Sequence, residues 1–215
     1  MLKRLALGAG VALVALASPI GIGTGVAGAG APPVTLTGPI NCAAAVGQTV
    51  FGKGLSNNPS AQTSLTVKMK ISECTGAGGS SGGVTLKYGL LKVTSAPQAM
   101  LNACGLYTDI GSLPTLTGTI TWKGSHGFIA QSTVTVQGET GFYEQGVNEL
   151  HLQLPVAIGT GSFAGQPVTT SGLDSNKSGF LLTSACSTFK GLKSYTFGHP
   201  ASVGSVTGSV TIAGG

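Results

Sequence analysis

Residues 74–87, CTGAGGSSGGVTLK, hold the two stretches whose types and spacing most resemble reactive machinery. Gly79-Ser80-Ser81-Gly82-Gly83 fits the G-x-S-x-G pattern of a nucleophile elbow, in which a strained strand-to-helix turn presents a serine for acyl transfer. Gly78 and Gly83 have the first spacing of a phosphate-binding loop. That loop requires lysine directly after its last glycine and then a helix N-terminus. Here Val84 takes that place, and Lys87 comes too late, on a strand-like run. An elbow serine likewise needs a helix behind it, but VTLKYGLLKV alternates and carries β-branched residues. The stretch therefore reads as a hairpin loop with Ser81 exposed on it. Asp109, Asp174 and His199 all follow Ser81, so chain order permits a triad without arguing for one.

Other polar groups are sparser. Glu149 and His151, two apart in ELHLQL, share one face of a strand, where a carboxylate can orient an imidazole or help hold a metal. Glu139 and Glu144 flank GFY in QGETGFYEQG, read as a loop between strands, which gives no assurance of the facing carboxylates that glycoside hydrolysis demands. His126 in KGSHGF and His199 in FGHPA occupy turns, and no histidine pair has the H-x-H or H-x-x-x-H spacing of metal ligands. Each of these is read as a solvated group. No catalytic set, metal site or cofactor is expected.

The elements that must position such groups are strands. Leu65, Val67, Met69 and Ile71 alternate with Thr66, Lys68 and Lys70, the pattern of a half-buried antiparallel strand. Similar alternation places Leu116, Ile120 and Trp122 inward, then Val134 with Val136, then Leu150, Leu152 and Leu154, and finally Val206, Val210 and Ile212. The phase changes inside VTLKYGLLKVT, which predicts a β-bulge at Gly89 and puts Tyr88 on the apolar side. Gly118 and Gly208, in LTGTIT and VTGSVT, fall on inward parity, where a missing side chain permits curvature or a close backbone approach. Tyr143, Phe142 and Phe163 lie near glycine-rich turns and are expected to pack over an end of the fold. SAPQAMLNACG predicts one helical turn, with Ser95 as cap, Pro97 in the first turn and Gly105 as terminator. The fold class is all-β: an antiparallel β-sandwich or β-barrel with one short helical turn and two disulfides.

The chain opens with Lys3 and Arg4, then an uncharged run from Leu5 to Ala31, which reads as a secretory signal. Ala15-Leu16-Ala17 and Ala27-Gly28-Ala29 are both possible cleavage motifs, and the second gives a signal over 1–29 and one domain over 30–215. A retained anchor is the alternative, since the run is long enough to cross a bilayer. Removing Lys3 and Arg4 leaves nine basic and six acidic side chains. The lysines are scattered singly through strands without arginine or interleaved aromatics, which argues against nucleic-acid binding. Cys42, Cys74, Cys104 and Cys186 are an even set in an exported chain, and none forms C-x-x-C, so two disulfides are expected. Three pairings exist. Cys42 with Cys186 and Cys74 with Cys104 are preferred, one tying an early strand to a late one and the other tying neighbouring segments.

The leader, NCAAAVGQTVFGKGLSN, the strand ending in ISECTG, the later LNACG and the final SACSTFKG together resemble small exported proteins of actinobacteria that carry no assigned activity. The resemblance spans most of the chain after the leader. It implies an all-β fold outside the cytoplasm and carries over no functional residue. The leading expectation is a secreted or envelope-associated, non-catalytic module that binds a glycan, lipid, protein or other envelope component, with no membrane span after cleavage. An apolar-ligand carrier barrel, a membrane β-barrel and a hydrolase are the alternatives.

Overall fold

In the strand Leu65–Thr75, Leu65, Val67, Met69 and Ile71 are buried and Lys68 and Lys70 exposed, as the alternation requires. The computed structural model describes residues 34–55, 62–81, 83–99, 114–125, 127–137, 140–144, 149–175, 184, 187–188, 190–198 and 208–214. The expected leader, Cys104, Asp109, His126, Glu139, Cys186, His199 and Val206 lie outside the described residues.

The strands run in chain order as β1 (Ile40–Leu55), β2 (Gln62–Thr63), β3 (Leu65–Thr75), β4 (Ser80–Ser81), β5 (Val84–Thr94), β6 (Gln98–Ala99) and β7 (Thr115–Gly124). Then follow β8 (Gly127–Gln137), β9 (Thr140–Glu144), β10 (Glu149–Gln153), β11 (Val156–Gly161), β12 (Val168–Ser171), β13 (Leu192–Phe197) and β14 (Ser209–Ile212). The main sheet has the order β11-β8-β7-β5-β3-β1-β14-β12, with each of these neighbouring strands antiparallel to the next. Its two end strands meet again at an antiparallel bridge between Ala157 and Pro167. Beyond that bridge the Thr170 hydroxyl takes over, accepting from the Leu154 N–H at 3.3 Å and donating to its carbonyl. Of the two expected architectures the sheet is therefore the barrel-like one, curled about a single core.

One position in the sheet is shared. β13 and β14 both lie beside β1, against Gly47–Leu55 and Ile40–Cys42 respectively. The chain leaves at Gly198 and returns at Gly208, whose N–H donates to the Gly198 carbonyl at 3.2 Å. A side chain on either glycine would strike the Ala45 carbonyl, so the inward glycine expected at 208 does allow a close backbone approach. Gly118 behaves similarly: a Cβ there would meet the Lys92 carbonyl and stand 2.9 Å from the Val93 Cα.

The expected bulge is displaced. Gly89 sits in regular register between Ile71 and Trp122, and the irregularity falls between Leu86 and Tyr88. Gly89 has a different function: a Cβ there would come within 2.6 Å of the Trp122 ring, so its hydrogen makes room for the indole. The shift at Lys87 turns Tyr88 to the outer face, where it is half-buried, so its expected core position is corrected.

The expected helical start is also corrected. Ser95 caps nothing; its N–H donates to the Leu65 carbonyl, and its hydroxyl accepts from the Leu65 N–H at 3.0 Å. Gln98 and Ala99 then form β6 against β2. The cross-strand bonds available to an extended chain outweigh a cap on so short a helical turn, whose nucleation is unfavourable. A 3-10 turn lies instead at Ala77–Gly79, inside the glycine-rich stretch.

The interior is filled. Trp122, fully buried, meets the edge of Phe163 with ring centroids 5.1 Å apart, and Phe51 packs near Tyr195 at 6.3 Å. The Trp122 Nε1–H donates to Ser132 Oγ at 2.8 Å, and that hydroxyl donates to the Ser162 carbonyl. Ser162 Oγ accepts the Leu36 N–H at 2.8 Å, and the Phe163 N–H donates to the Leu36 carbonyl. The turn after β11 and the segment before β1 thus close over the indole, and Phe163 is the buried turn aromatic that was expected. Its φ of 61° costs on the order of 1–2 kcal/mol for a side chain with a Cβ, offset by the buried ring.

The disulfide pairing differs from the preferred one. Cys42 and Cys74 are bonded to each other, being direct partners in the β1–β3 register. Neither the Cys42–Cys186 nor the Cys74–Cys104 bridge can then form. Chain distance misled because β1 and β3 are spatial neighbours although the cysteines are 32 positions apart in the chain.

Candidate functional site

Strand pairing decides most of the residues whose types suggested chemistry. Ser80 and Ser81 pair with Thr85 and Val84, so the stretch is a hairpin, as expected. Gly83 has φ 78°, which a residue with a Cβ adopts only at a cost. A strand and no helix follows the serine, so the elbow geometry is not formed. Asp174 follows β12, and β3, β1 and β14 stand between β12 and β5 in the sheet order.

The second carboxylate pair is rearranged. QGETGFYEQG contributes a strand, β9, instead of a loop, and Glu144 at its end pairs in register with Glu149 of β10. His151 pairs with Phe142, and Leu150 with Tyr143. Glu149 and His151 do share one strand parity, as read. Glu139, the other carboxylate of that loop, lies outside the described residues.

What the chain order hides is the convergence of lysines. β1, β3, β5, β7 and β8 are consecutive in the sheet, and their outward residues form rows across it. One row runs Gln48, Lys68, Lys92, Thr119, Thr133. The next runs Val46, Lys70, Leu90, Thr121, Gln131, and a third, beside the buried Ala44, runs Ser72, Tyr88, Lys123, Phe128. Lys68 and Lys92, 24 residues apart in the chain, thus become direct neighbours, and Lys123 stands two rows away, opposite Tyr88. Lys68 and Lys92 stand directly opposite, an arrangement of like charges that weakens a sheet.

The apolar character of this wall is as marked as its charge. Among the described residues the large hydrophobic side chains exposed to solvent are Leu90 at 41% and Phe128 at 56%, and both lie here. Lys70 Nζ stands over the Tyr88 ring, 5.3 Å from its centroid, and Lys123 Nζ over Phe128 at 5.6 Å. These ammonium groups are held against rings, a contact of about 0.5–1 kcal/mol at exposed sites. Gln48, Lys68, Lys70, Leu90 and Lys92 border a shallow, open depression of about 380 Å³. Gly47, Met69 and Leu91 form its floor with their backbone, their own side positions facing the core.

Glu73 and Asp174 are the acidic residues whose side chains are described. Glu73 lies beyond Ser72 at the Cys74 end of β3, and Asp174 lies across the sheet near β13. No group of three or more His, Cys, Asp or Glu able to hold a metal occurs among the described residues.

Sequence reading found the lysines but not their assembly. The signal was available in part: Lys68, Lys70 and Lys92 all sit on polar parity of adjacent alternating segments, and only the register was missing. Leu90 was hidden by the shift at Lys87, which moves it from apparent core parity to the surface.

No protein-family model, curated protein or solved structure matches the chain.

Proposed function

We propose that the chain is an exported, non-catalytic binding module that engages an envelope component through the outer wall of β3, β5, β7 and β8. The observation that carries this reading is the gathering of Lys68, Lys70, Lys92 and Lys123 with Leu90, Tyr88 and Phe128 on that wall. Cations and apolar side chains placed together cost stability without a partner, through like-charge repulsion and hydrated apolar surface. A partner that removes both costs is the economical account of their being together.

Export is supported by the basic and apolar N-terminal run and by the Cys42–Cys74 bond, of a kind that persists in oxidising compartments. No helix among the described residues is long and apolar enough to cross a membrane. A carrier barrel fits poorly, because Trp122, Phe51, Phe163, Tyr195 and Phe197 occupy the space a ligand would need. A membrane barrel fits poorly as well, because lysine and threonine line the outer wall where lipid contact requires an apolar band.

The test is retention of the purified protein on immobilised cell-wall glycan, anionic polymer and anionic lipid, with and without Lys68→Glu/Lys92→Glu. Retention on at least one material, lowered about ten-fold or more by the charge reversal, is the expected result. Equal retention of both proteins would remove the wall from the account.

A further inference from the structure

We infer that the partner of this wall is an anionic lipid surface, its headgroup phosphates meeting the lysines while Leu90 and Phe128 enter the headgroup layer. The inference rests on the binding-module reading and adds the class of partner. Three features select a lipid surface over a soluble glycan or polyanion.

First, the exposed large apolar side chains of the described molecule lie within the lysine rows. A soluble polyanion rewards the charges alone, whereas a bilayer interface rewards both. Second, ammonium groups stand over the rings of Tyr88 and Phe128, so neither ring offers the bare face on which a sugar stacks. A Lys123 ammonium at a phosphate would leave Phe128 flanked by charge and free to wedge between headgroups. Third, the wall is the convex side of a curled sheet, and the depression on it is shallow and open, unlike a groove that would enclose a polymer chain. Its three rows and four strands span on the order of 15 Å each way, a patch suited to a surface.

Each lysine near an anionic membrane contributes roughly a five-fold change in partitioning, and the effect is screened by salt. Protein recovered from an exporting host is mixed with vesicles of phosphatidylcholine containing about 30% phosphatidylglycerol, or of phosphatidylcholine alone, and sedimented. Any binding through the N-terminal segment is read on the neutral vesicles. The expected result is a preference for the anionic vesicles that falls about 25-fold in Lys68→Gln/Lys92→Gln and several-fold in Leu90→Ser/Phe128→Ser. Neither variant should unfold at a lower temperature, since the altered side chains are exposed, and the lysine variant should gain slightly from relief of the Lys68–Lys92 repulsion.

No preference between the vesicles, or a preference that the lysine variant retains, overturns the inference. Soluble polyphosphate provides the distinguishing arm. Lysine-dependent polyphosphate binding without vesicle binding overturns the lipid assignment and leaves the wall as a binding surface. Failure of the wild-type protein on both vesicles and polyphosphate overturns the lipid assignment, and the retention assay then decides the broader reading separately.

Discussion

At the scale of single residues, the most consequential polar group in the core is Ser132. It stands on the inward parity of STVTVQ, two before Val134, and is 1% exposed. Its hydroxyl satisfies two buried groups together, accepting from the Trp122 indole and donating to the Ser162 carbonyl. Ser132→Ala leaves both without a partner, and each orphaned buried group costs about 1–3 kcal/mol. The expected loss is about 2–4 kcal/mol, read as a lower urea midpoint by the emission of the chain's single tryptophan. Thr133→Ala is the matched control. Its hydroxyl pairs with Thr160 at 2.8 Å on the exposed side, where a hydrogen bond competes with water, and less than about 1 kcal/mol should be lost. Trp122 was legible as core from parity alone, and a serine on apolar parity in the next strand was the signal for its partner. What parity does not supply is the turn at Ser162, 30 residues further on, that completes the chain of bonds.

At the scale of elements, curvature depends on where β5 and β7 approach each other. Gly118 is opposite Val93, and an added methyl there would be driven into the Lys92 carbonyl. Backbone cannot rotate aside as a side chain can, so Gly118→Ala must separate the strands or shift their register. About 2–3 kcal/mol of destabilisation is expected from this overpacking. Gly159→Ala, where the nearest atom is the Thr133 hydroxyl at 3.3 Å, should cost less than about 1 kcal/mol. Thermal unfolding of the two variants side by side checks the difference. The inward glycines at 118 and 208 were readable from alternation because a strand reports its own faces. The all-β class and the hairpin at Ser81 were readable for the same reason. The bulge was placed two residues late, since a phase change in VTLKYGLLKVT shows that an extra residue exists without saying which one it is. The lysine wall escaped entirely, because it is a property of register between strands, and period-two patterns are silent about which residue faces which.

At the scale of the whole molecule, the disulfides reveal the same gap between chain order and neighbourhood. Cys42 and Cys74 join two strands that already pair along ten residues from Asn41 to Phe51, so the bond adds little direction to the folded sheet. Its effect falls on the unfolded chain, where closing a loop of this length removes entropy worth about 3–4 kcal/mol in the loop-closure account. Cys42→Ala/Cys74→Ala should lower stability by that order, with far-UV circular dichroism confirming that the sheet still forms. The bond also constrains the rest of the chain. With Cys42 and Cys74 consumed, Cys104 and Cys186 have only one another as intramolecular partners, so one pairing of the original three survives. Non-reducing proteolysis and mass spectrometry should yield a Cys104–Cys186 peptide, no Cys42–Cys186 or Cys74–Cys104 peptide, and no titratable thiol in the unfolded protein. Two alkylatable thiols would mean that the molecule is held by one staple, and that its filled core carries the remaining stability alone.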